Sequence, residues 1–592
     1  MSIIVQKFGG TSVADSEKIM AAARKAIRTQ KEGHQVVMVV SAMGKNTDEL
    51  VRLAREISDE PPAREMDMLL STGEQVSVAL MAMAIHSLGH EAVSLTGAQI
   101  GIKTDSSHTK ARIHSIETDR MRAVLDAGKI VIAAGFQGID EDFNITTLGR
   151  GGSDTTAVAL AAVLGADACE IYTDVDGVYT TDPRVLPEAR RVTRISYDEM
   201  LELASVGAGV MHSRSIEFAK RFSVPVHVRS SFSDTPGTMI AAYPEAPDQP
   251  VCGAAMLKNE ARVTVLGVPD RPGAALTVFS KIAAKNVAMD MIVQNIGADG
   301  RADISFTVPR DDLPATLKAV EDATRELGAD GFNCDDEVAK ISVVGSGMAT
   351  QPGVADRMFR SLAEKKINIL MISTSQIKIS VLVKRDVAAE ALRTVHEAFG
   401  LENDPPAIEA GGDGPTETRH AAAAANAVAR MQGMEDLLID DITLDASDAR
   451  ITLAGVPDRP GLAAQVFEEI AAGGVVVDMI VQSVGWEGQA NISFTVPRKD
   501  LDKSIELAAE LASRFGCSAP TSSAEVAKLS VSGIGMRSHT GVARRMFHSL
   551  AEVGINVEMI STSEVRVNVV VDARQGEKAL ALLKEEFADV IV

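Results

Sequence analysis

Cysteine is scarce in this sequence. Four occur in 592 residues, Cys169, Cys252, Cys334 and Cys517. They lie far apart and form no CxxC pair, which excludes a disulfide framework and gives no zinc-ligand spacing; no metal site is read from the sequence. Positive charge is also short: 59 Lys and Arg against 81 Asp and Glu, a net charge of −22. A sequence-independent nucleic-acid binder needs a basic surface, so no nucleic-acid partner is expected. No uninterrupted apolar run reaches the ~18 residues that span a bilayer. The opening "MSIIVQKFGG" enters a strand at once, without a basic leader or cleavage site. The expectation is a cytoplasmic protein with no membrane partner. Two kinase signatures are missing as well: the P-loop pattern GxxxxGK[ST], and the HRD and DFG motifs of protein kinases.

What is present is the composition of a globular chain, 46% apolar and 24% charged, long enough for roughly three to five domains. Up to about Tyr243, the runs "IIVQKF", "QVVMVVSAM", "EAVSLTG", "KIVIAAGF" and "ACEIYTDV" read as buried strands. Between them Ser16–Gln30, Asp67–Leu88 and Ser153–Leu164 carry apolar residues at helical spacing. This alternation predicts an α/β domain over 1–245, a largely parallel sheet with helices on both faces.

After about Pro250 the chain repeats itself. "GVPDRPG" at Gly267 recurs at Gly455, "DMIVQ" at Asp290 recurs at Asp478, and "MISTS" at Met371 recurs at Met559, always 188 residues on. Each copy divides again into two strand–turn–helix–strand modules, giving four: 260–332, 337–400, 448–518 and 525–592. The segment 401–445, rich in Pro, Gly, Thr and Ala, reads as a linker with a short helix in its alanine tract.

Four stretches carry chemistry. "LGRGGSDTTAVALAA" sets glycines, Arg150, Ser153 and Asp154 ahead of a helix. Glycines let backbone N–H groups approach an anion, the helix N-terminus adds positive potential, and Arg150 offers a fork for carboxylate or phosphate. The same pattern fits a tight turn in which Ser153 or Asp154 caps the helix. "VQKFGGTS" repeats the design with Lys7, Gly9 and Gly10 at the end of the first strand. Two such turns in one α/β domain favour a binding site. "IYTDVDGVYTTDPR" is either a hairpin or a nucleotide loop, with Tyr179 against the base and Arg184 near phosphates. "REMDMLLSTGEQVS" places Glu74 at a helix start, as a first-turn carboxylate or as the partner of a substrate ammonium.

These stretches, with "VVSAMGKNTDEL", occur in an order and spacing that closely resembles the aspartate kinases of the amino-acid kinase family. The modules after residue 260 resemble ACT domains, which are ferredoxin-like α+β sensors. The resemblance implies transfer of the ATP γ-phosphoryl group to the side-chain carboxylate of L-aspartate, with Mg²⁺, under feedback by lysine or threonine. By that likeness Lys7 and Asp154 are catalytic. Thr47, Glu74, Arg150, Gly151, Gly152 and Ser153 hold aspartate. Lys7, Phe8, Gly9, Gly10, Ser12, Ser41, Thr173, Asp174, Tyr179, Asp182, Pro183 and Arg184 surround ATP. Relatives usually have a lysine near Gly209; its absence leaves Arg214 or Arg184 as the substitute cation. His212 is read as structural.

The resemblance also implies effector residues. Asp270, Gly273, Ala274 and Gln294 are expected to face Gly353, Val354, Asn368 and Ile369 within the first repeat. The second repeat offers Asp458, Gly461, Gln482, Gly541, Val542, Asn556 and Val557. That makes up to four pockets, two within each repeat, and a homo-oligomer joined through ACT strand edges. The competing functions are a kinase for glutamate or an acylated amino acid, and a catalytically dead sensor. Glu74 argues against the acylated substrate, and intact Lys7, Arg150 and Asp154 argue against the dead sensor.

Overall fold

A computed structural model of the chain describes residues 2–207, 210–296, 300–349, 351, 353–405, 434–484, 488–536 and 541–591. The expected linker helix, Gly209, Pro352 and Thr540 lie outside the described residues.

The first domain is built on β1 (Ile3–Phe8), α1 (Ser16–Lys31), β2 (Gln35–Val40), α2 (Asn46–Ile57), α3 (Ala63–Ser87), β3 (Ala92–Leu95), β4 (Ile130–Ala134), α4 (Gly152–Leu164), β5 (Ala168–Thr173), β6 (Arg194–Ser196), α5 (Tyr197–Ser205), α6 (Ser213–Phe222), β7 (Val226–Ser230) and β8 (Thr238–Ala241). The sheet order is β6-β8-β7-β5-β1-β2-β4-β3. Only the β7–β8 contact is antiparallel. Residues of β2 and β4 are buried on both faces, as continuous runs of Val, Ile, Met and Ala require in a covered parallel sheet. A smaller sheet, from Ile102–Thr104, Ile113–Ile116, Gln137–Ile139 and Ile145–Thr147, flanks it. The 25 residues of α3 are long and apolar enough to cross a membrane by length and composition, although acidic and polar residues interrupt its apolar run. In the fold, 56% of its most apolar 18-residue window is buried, and the helix brings the acidic Asp67 and Glu74 inward.

The second half contains β9 (Gly253–Pro269), α7 (Ala274–Ala283), β10 (Asp290–Ile296), β11 (Arg301–Pro309), β12 (Gly331–Val344), α8 (Val354–Glu364), β13 (Met371–Thr374) and β14 (Lys378–Lys384). Its second repeat has β15 (Leu438–Asp445), β16 (Asp448–Pro457), α9 (Leu462–Ala472), β17 (Ile480–Val484), β18 (Gln489–Pro497), β19 (Thr521–Ser523), β20 (Val526–Ile534), α10 (Val542–Glu552), β21 (Met559–Thr562) and β22 (Arg566–Asp572). The strands form a ten-stranded sheet, β10-β11-β9-β12-β14-β13-β17-β18-β16-β19, and a four-stranded sheet, β15-β20-β22-β21.

Two module edges differ from the sequence reading. Gly253–Leu257 precede the first module, yet they pair with Lys340–Val344 of the second. Leu438–Asp445 fall in the expected linker, yet they form β15 and pair with β20 of the fourth module. In both repeats the strand completing the later module is supplied from before the earlier one, an order that local periodicity does not encode. The strand edges expected to pair between copies also pair inside the chain: Ile372 of β13 lies opposite Gln482 of β17, joining modules two and three.

Candidate active site

Lys7 is the penultimate residue of β1, and Asp154 lies in the first turn of α4. Lys7 Nζ is 2.5 Å from the Asp154 carboxylate, and both side chains are nearly buried. The chain folds this way because each corner is made of glycine. A Cβ on Gly10 would stand 2.8 Å from the Ala42 carbonyl oxygen, and one on Gly152 would stand 2.9 Å from the Phe136 ring. Gly149 and Gly151 have φ of 78° and 71°, and a Cβ on Gly151 would collide with His212. Glycine is therefore demanded by both torsion and space.

The helix-start alternatives resolve here. Gly151 is the N-cap of α4, and no side chain caps it. Ser153 and Asp154 sit inside the first turn and do not close its N–H groups. The corner at Gly9 likewise has no side-chain cap. Uncapped N–H groups at a helix N-terminus suit an anion. Arg150 is exposed, and its side chain has no hydrogen bond or ion pair to another described residue.

Glu74 is not in the first turn of a helix; it lies midway along α3 and is 3% exposed. Its Oε1 accepts a hydrogen bond from the Ala42 N–H at 3.0 Å, and burial pushes its carboxyl up to about 7. Ser41 shares this loop, its N–H donating to the Phe8 carbonyl at 3.1 Å. Thr47 is half-buried in the first turn of the following α2.

On the other side of β1, Gly9 N–H meets the Tyr172 carbonyl at 3.3 Å. Ser231 Oγ donates to Ser12 Oγ at 2.5 Å, and Ser231 N–H donates to the Thr173 carbonyl at 2.8 Å. Thr173 Oγ1 donates to Asp174 at 3.1 Å at the end of β5. Tyr179 is half-buried, its hydroxyl donating to Asp176 at 2.8 Å. The loop runs on through Pro183, and an isolated bridge joins Tyr179 to Arg191. Three expected contacts change. The Phe8 side chain is 1% exposed and stacks on Tyr172 at 4.7 Å, so it belongs to the core and leaves only its backbone to the site. Arg184, which is 88% exposed, is held by Asp182. Arg214 binds Glu435 and two backbone carbonyls. Arg214 is therefore committed away from the nucleotide loop, whereas Arg184 stays within it, paired with Asp182.

Two residues at this site carry no sequence signal. Phe136 holds a left-handed φ of 70°, with its N–H on Thr156 Oγ1 at 3.1 Å; a non-glycine residue there stores strain of order 1–3 kcal/mol. Ser231 lies one residue beyond β7 and reaches Ser12 only through the sheet order.

The residues expected to bind effectors gather differently from the expected pairing. Asn556 donates to Asp270 at 2.7 Å, and Gln294 donates to the Val557 carbonyl at 2.7 Å. Asn368 donates to Asp458 at 2.8 Å, and Gln482 donates to the Ile369 carbonyl at 3.0 Å. Modules one and four share one cavity, also lined by Gly273 and Ala274; modules two and three share another, also lined by Gly461. Both cavities lie between the repeats, not within them. Gly353, Val354, Gly541 and Val542 open α8 and α10 and line neither.

The first domain and the modules also meet at a buried cluster. Glu202 of α5 is 2.6 Å from Lys378 of β14, and the Glu564 N–H donates to Glu202 at 3.2 Å. Burial raises the Glu202 carboxyl, with Lys378 opposing and Glu564 adding to the shift.

The amino acid kinase family matches residues 2–230, and the ACT domain matches 341–399, 451–510 and 529–587. Fold and site thus define a kinase of the amino acid kinase family carrying ACT domains. An aspartokinase of Mycolicibacterium smegmatis is 49% identical over 420 residues, covering 70% of this chain and 100% of that one. The solved aspartate kinase of Synechocystis is 41% identical, covers 99% of this chain and 98% of that one, and superposes with a TM-score of 0.52. Aspartokinase III of E. coli, 25% identical and covering 67% of this chain and 99% of that one, was solved with aspartate and ADP (TM-score 0.56) and with lysine and aspartate (TM-score 0.53). The chain belongs to the aspartate kinase family and is an ATP-dependent kinase.

Proposed function

We propose that the Lys7–Asp154 pair is the point of phosphoryl transfer, with nucleotide held on the Gly9–Ser12 side and L-aspartate on the Arg150–Glu74 side. The 2.5 Å contact between the ends of β1 and α4 carries this reading, because it joins the two glycine corners at one charged pair. The nucleophile is the side-chain carboxylate of aspartate, whose reference pKa is near 3.9, so it is already ionised and needs no base. Its difficulty is repulsion from a triphosphate. Lys7 and the uncapped N–H groups of α4 relieve that repulsion, in a reaction governed by positioning and charge stabilisation. Asp154 orients the Lys7 ammonium. Arg150 takes a carboxylate of aspartate and Glu74 its ammonium, while Gly151, Gly152, Ser153 and Thr47 close around it. Ser41, Thr173, Asp174, Tyr179 and Asp182 line the nucleotide side.

Mg²⁺ fits this donor set. Among the described residues no cluster of three or more His, Cys, Asp or Glu side chains could hold a metal by itself. A Mg²⁺ carried on nucleotide phosphates asks the protein for only one or two carboxylates, which Asp154 and Asp174 offer. When bound, it neutralises phosphate charge.

The cross-repeat cavities are proposed to bind lysine or threonine, with Asp270 and Asp458 taking the ammonium. The enzyme then opens lysine, threonine and methionine biosynthesis in the cytoplasm and is feedback-inhibited. Support comes from the uncapped turns at Gly273 and Gly461 beside each carboxylate, and from the lysine complex of the E. coli relative. Measuring ADP release with aspartate, with glutamate and with neither tests the substrate. Release with aspartate alone, inhibited by lysine or threonine, is the expected result. Equal release with glutamate would refute it.

A further inference from the structure

Arg214 lies at the start of α6, and its guanidinium uses both edges. Nη1 donates to the Leu148 carbonyl and Nη2 to the Ala111 carbonyl, each at 2.6 Å. Nε and Nη2 donate to the two carboxylate oxygens of Glu435, each also at 2.6 Å. Leu148 directly precedes the Gly149–Gly152 turn that displays Arg150. The same helix start braces that turn a second way, since His212 packs against Gly151 where a Cβ would sit. Glu435 Oε1 also accepts the Ile113 N–H at 2.8 Å, tying in the 108–113 loop. In that loop the Thr109 carbonyl approaches Gly149 closely.

Glu435 is not part of the kinase domain. It lies in the segment between the repeats, three residues before β15 enters the sheet of module four. Asp436 follows, its carbonyl accepting from Arg221 at 2.7 Å. The anchor of the proposed aspartate turn is thus finished by a residue that arrives after the whole first repeat.

We propose that Arg214 is a positioning residue for the Leu148–Gly152 turn, and that Glu435 is the counter-ion that holds it there. A guanidinium carries a rigid, planar set of donors. With both Glu435 oxygens in place the fork cannot rotate, and its remaining edge fixes two carbonyls at once. Without them it can swing, and the Leu148 carbonyl, with Arg150 two residues on, loses its reference point. The segment that leads into the second repeat therefore completes the proposed aspartate side of the site. This rests on the reading of the Gly149–Gly152 turn as the aspartate anchor.

The test uses full-length protein. Glu435→Gln, which keeps shape and removes charge, is expected to raise KM for aspartate about tenfold, with KM for ATP within twofold. Arg214→Lys, which keeps charge and loses the fork, is expected to do the same, and the double variant is expected to be no worse than either single one, as for residues acting as a unit. Glu435→Asp is expected to recover part of the loss. If Glu435→Gln leaves KM for aspartate unchanged, or moves both KM values and thermal stability together, the assignment is wrong. Glu435→Gln decides the matter if Arg214→Lys does not fold. Arg150→Ala separates the two readings: should it leave KM for aspartate unaltered, the anchor itself is misplaced. Should it raise KM while Glu435→Gln does not, only the positioning role fails.

Discussion

Asn295 donates a hydrogen bond of 2.9 Å to Ser483, the residue 188 positions later that holds the same place in the second repeat. That contact lies near an axis relating the two copies, because the pairs around it recur with the copies exchanged. That approximate dyad explains the effector contacts. The Asp270–Asn556 pair becomes Asp458–Asn368 under it, and Gln294–Val557 becomes Gln482–Ile369.

The first prediction follows from this crossing. Asp458→Ala and Asn368→Ala disable one cavity, so their effects on the half-inhibiting effector concentration are expected to be non-additive. Asp458→Ala and Asp270→Ala act on different cavities and are expected to add. Each single change is expected to raise that concentration at least about tenfold, worth about 1.4 kcal/mol. Inhibition curves for the singles and doubles check it; non-additivity between Asp458 and Asp270 would contradict the crossing.

The proposed role of Glu74 as partner of the aspartate ammonium predicts that aspartate binding depends on pH. Burial makes its ionised form the costlier one, so its contribution to stability falls as pH rises from the ordinary value of 4.5 to about 7. An ammonium partner favours the ionised form. KM for aspartate is therefore expected to rise as pH drops below about 7, and Glu74→Gln is expected to flatten that profile while raising KM throughout.

Lys378 compensates the buried Glu202 carboxylate beside Glu564. Lys378→Met is expected to cost about 3–5 kcal/mol, the usual penalty for stranding a buried charge. Because burial already raises the Glu202 carboxyl, the loss is expected to shrink at acid pH, where Glu202 takes up a proton. Calorimetry at two pH values checks both statements.

Gly10→Ala is expected to damage the nucleotide side. The new Cβ would press on the Ala42 and Gly44 carbonyls at 2.8 and 3.1 Å, backbone atoms that cannot step aside. A rise in KM for ATP with a loss of about 1–3 kcal/mol in stability is expected.

The parallel sheet was legible because β1, β2, β4 and β5 are continuous apolar runs between helices of clear period. The corners carrying Lys7 and Asp154 were legible as two glycine-rich βα turns of one domain, each of which alone also fits an ordinary turn; the structure adds that the two side chains meet. Phe136 and Ser231 were not, since a left-handed φ and a meeting through sheet order leave no local pattern. The effector pairing was misread for a related reason. Similar repeats show which residues recur, as Asp270 and Asp458 do, but not which copy each one faces. Glu435 was hidden in a segment whose composition reads as linker.

The central claim is that Lys7 and Asp154 form the transfer point. The most direct test is the rate of aspartate-dependent ADP release by Lys7→Ala with both substrates saturating. The account predicts a fall in kcat of at least about 10²–10³-fold, the scale for removing one preorganised charge-stabilising donor. A variant keeping more than a tenth of the rate would contradict it.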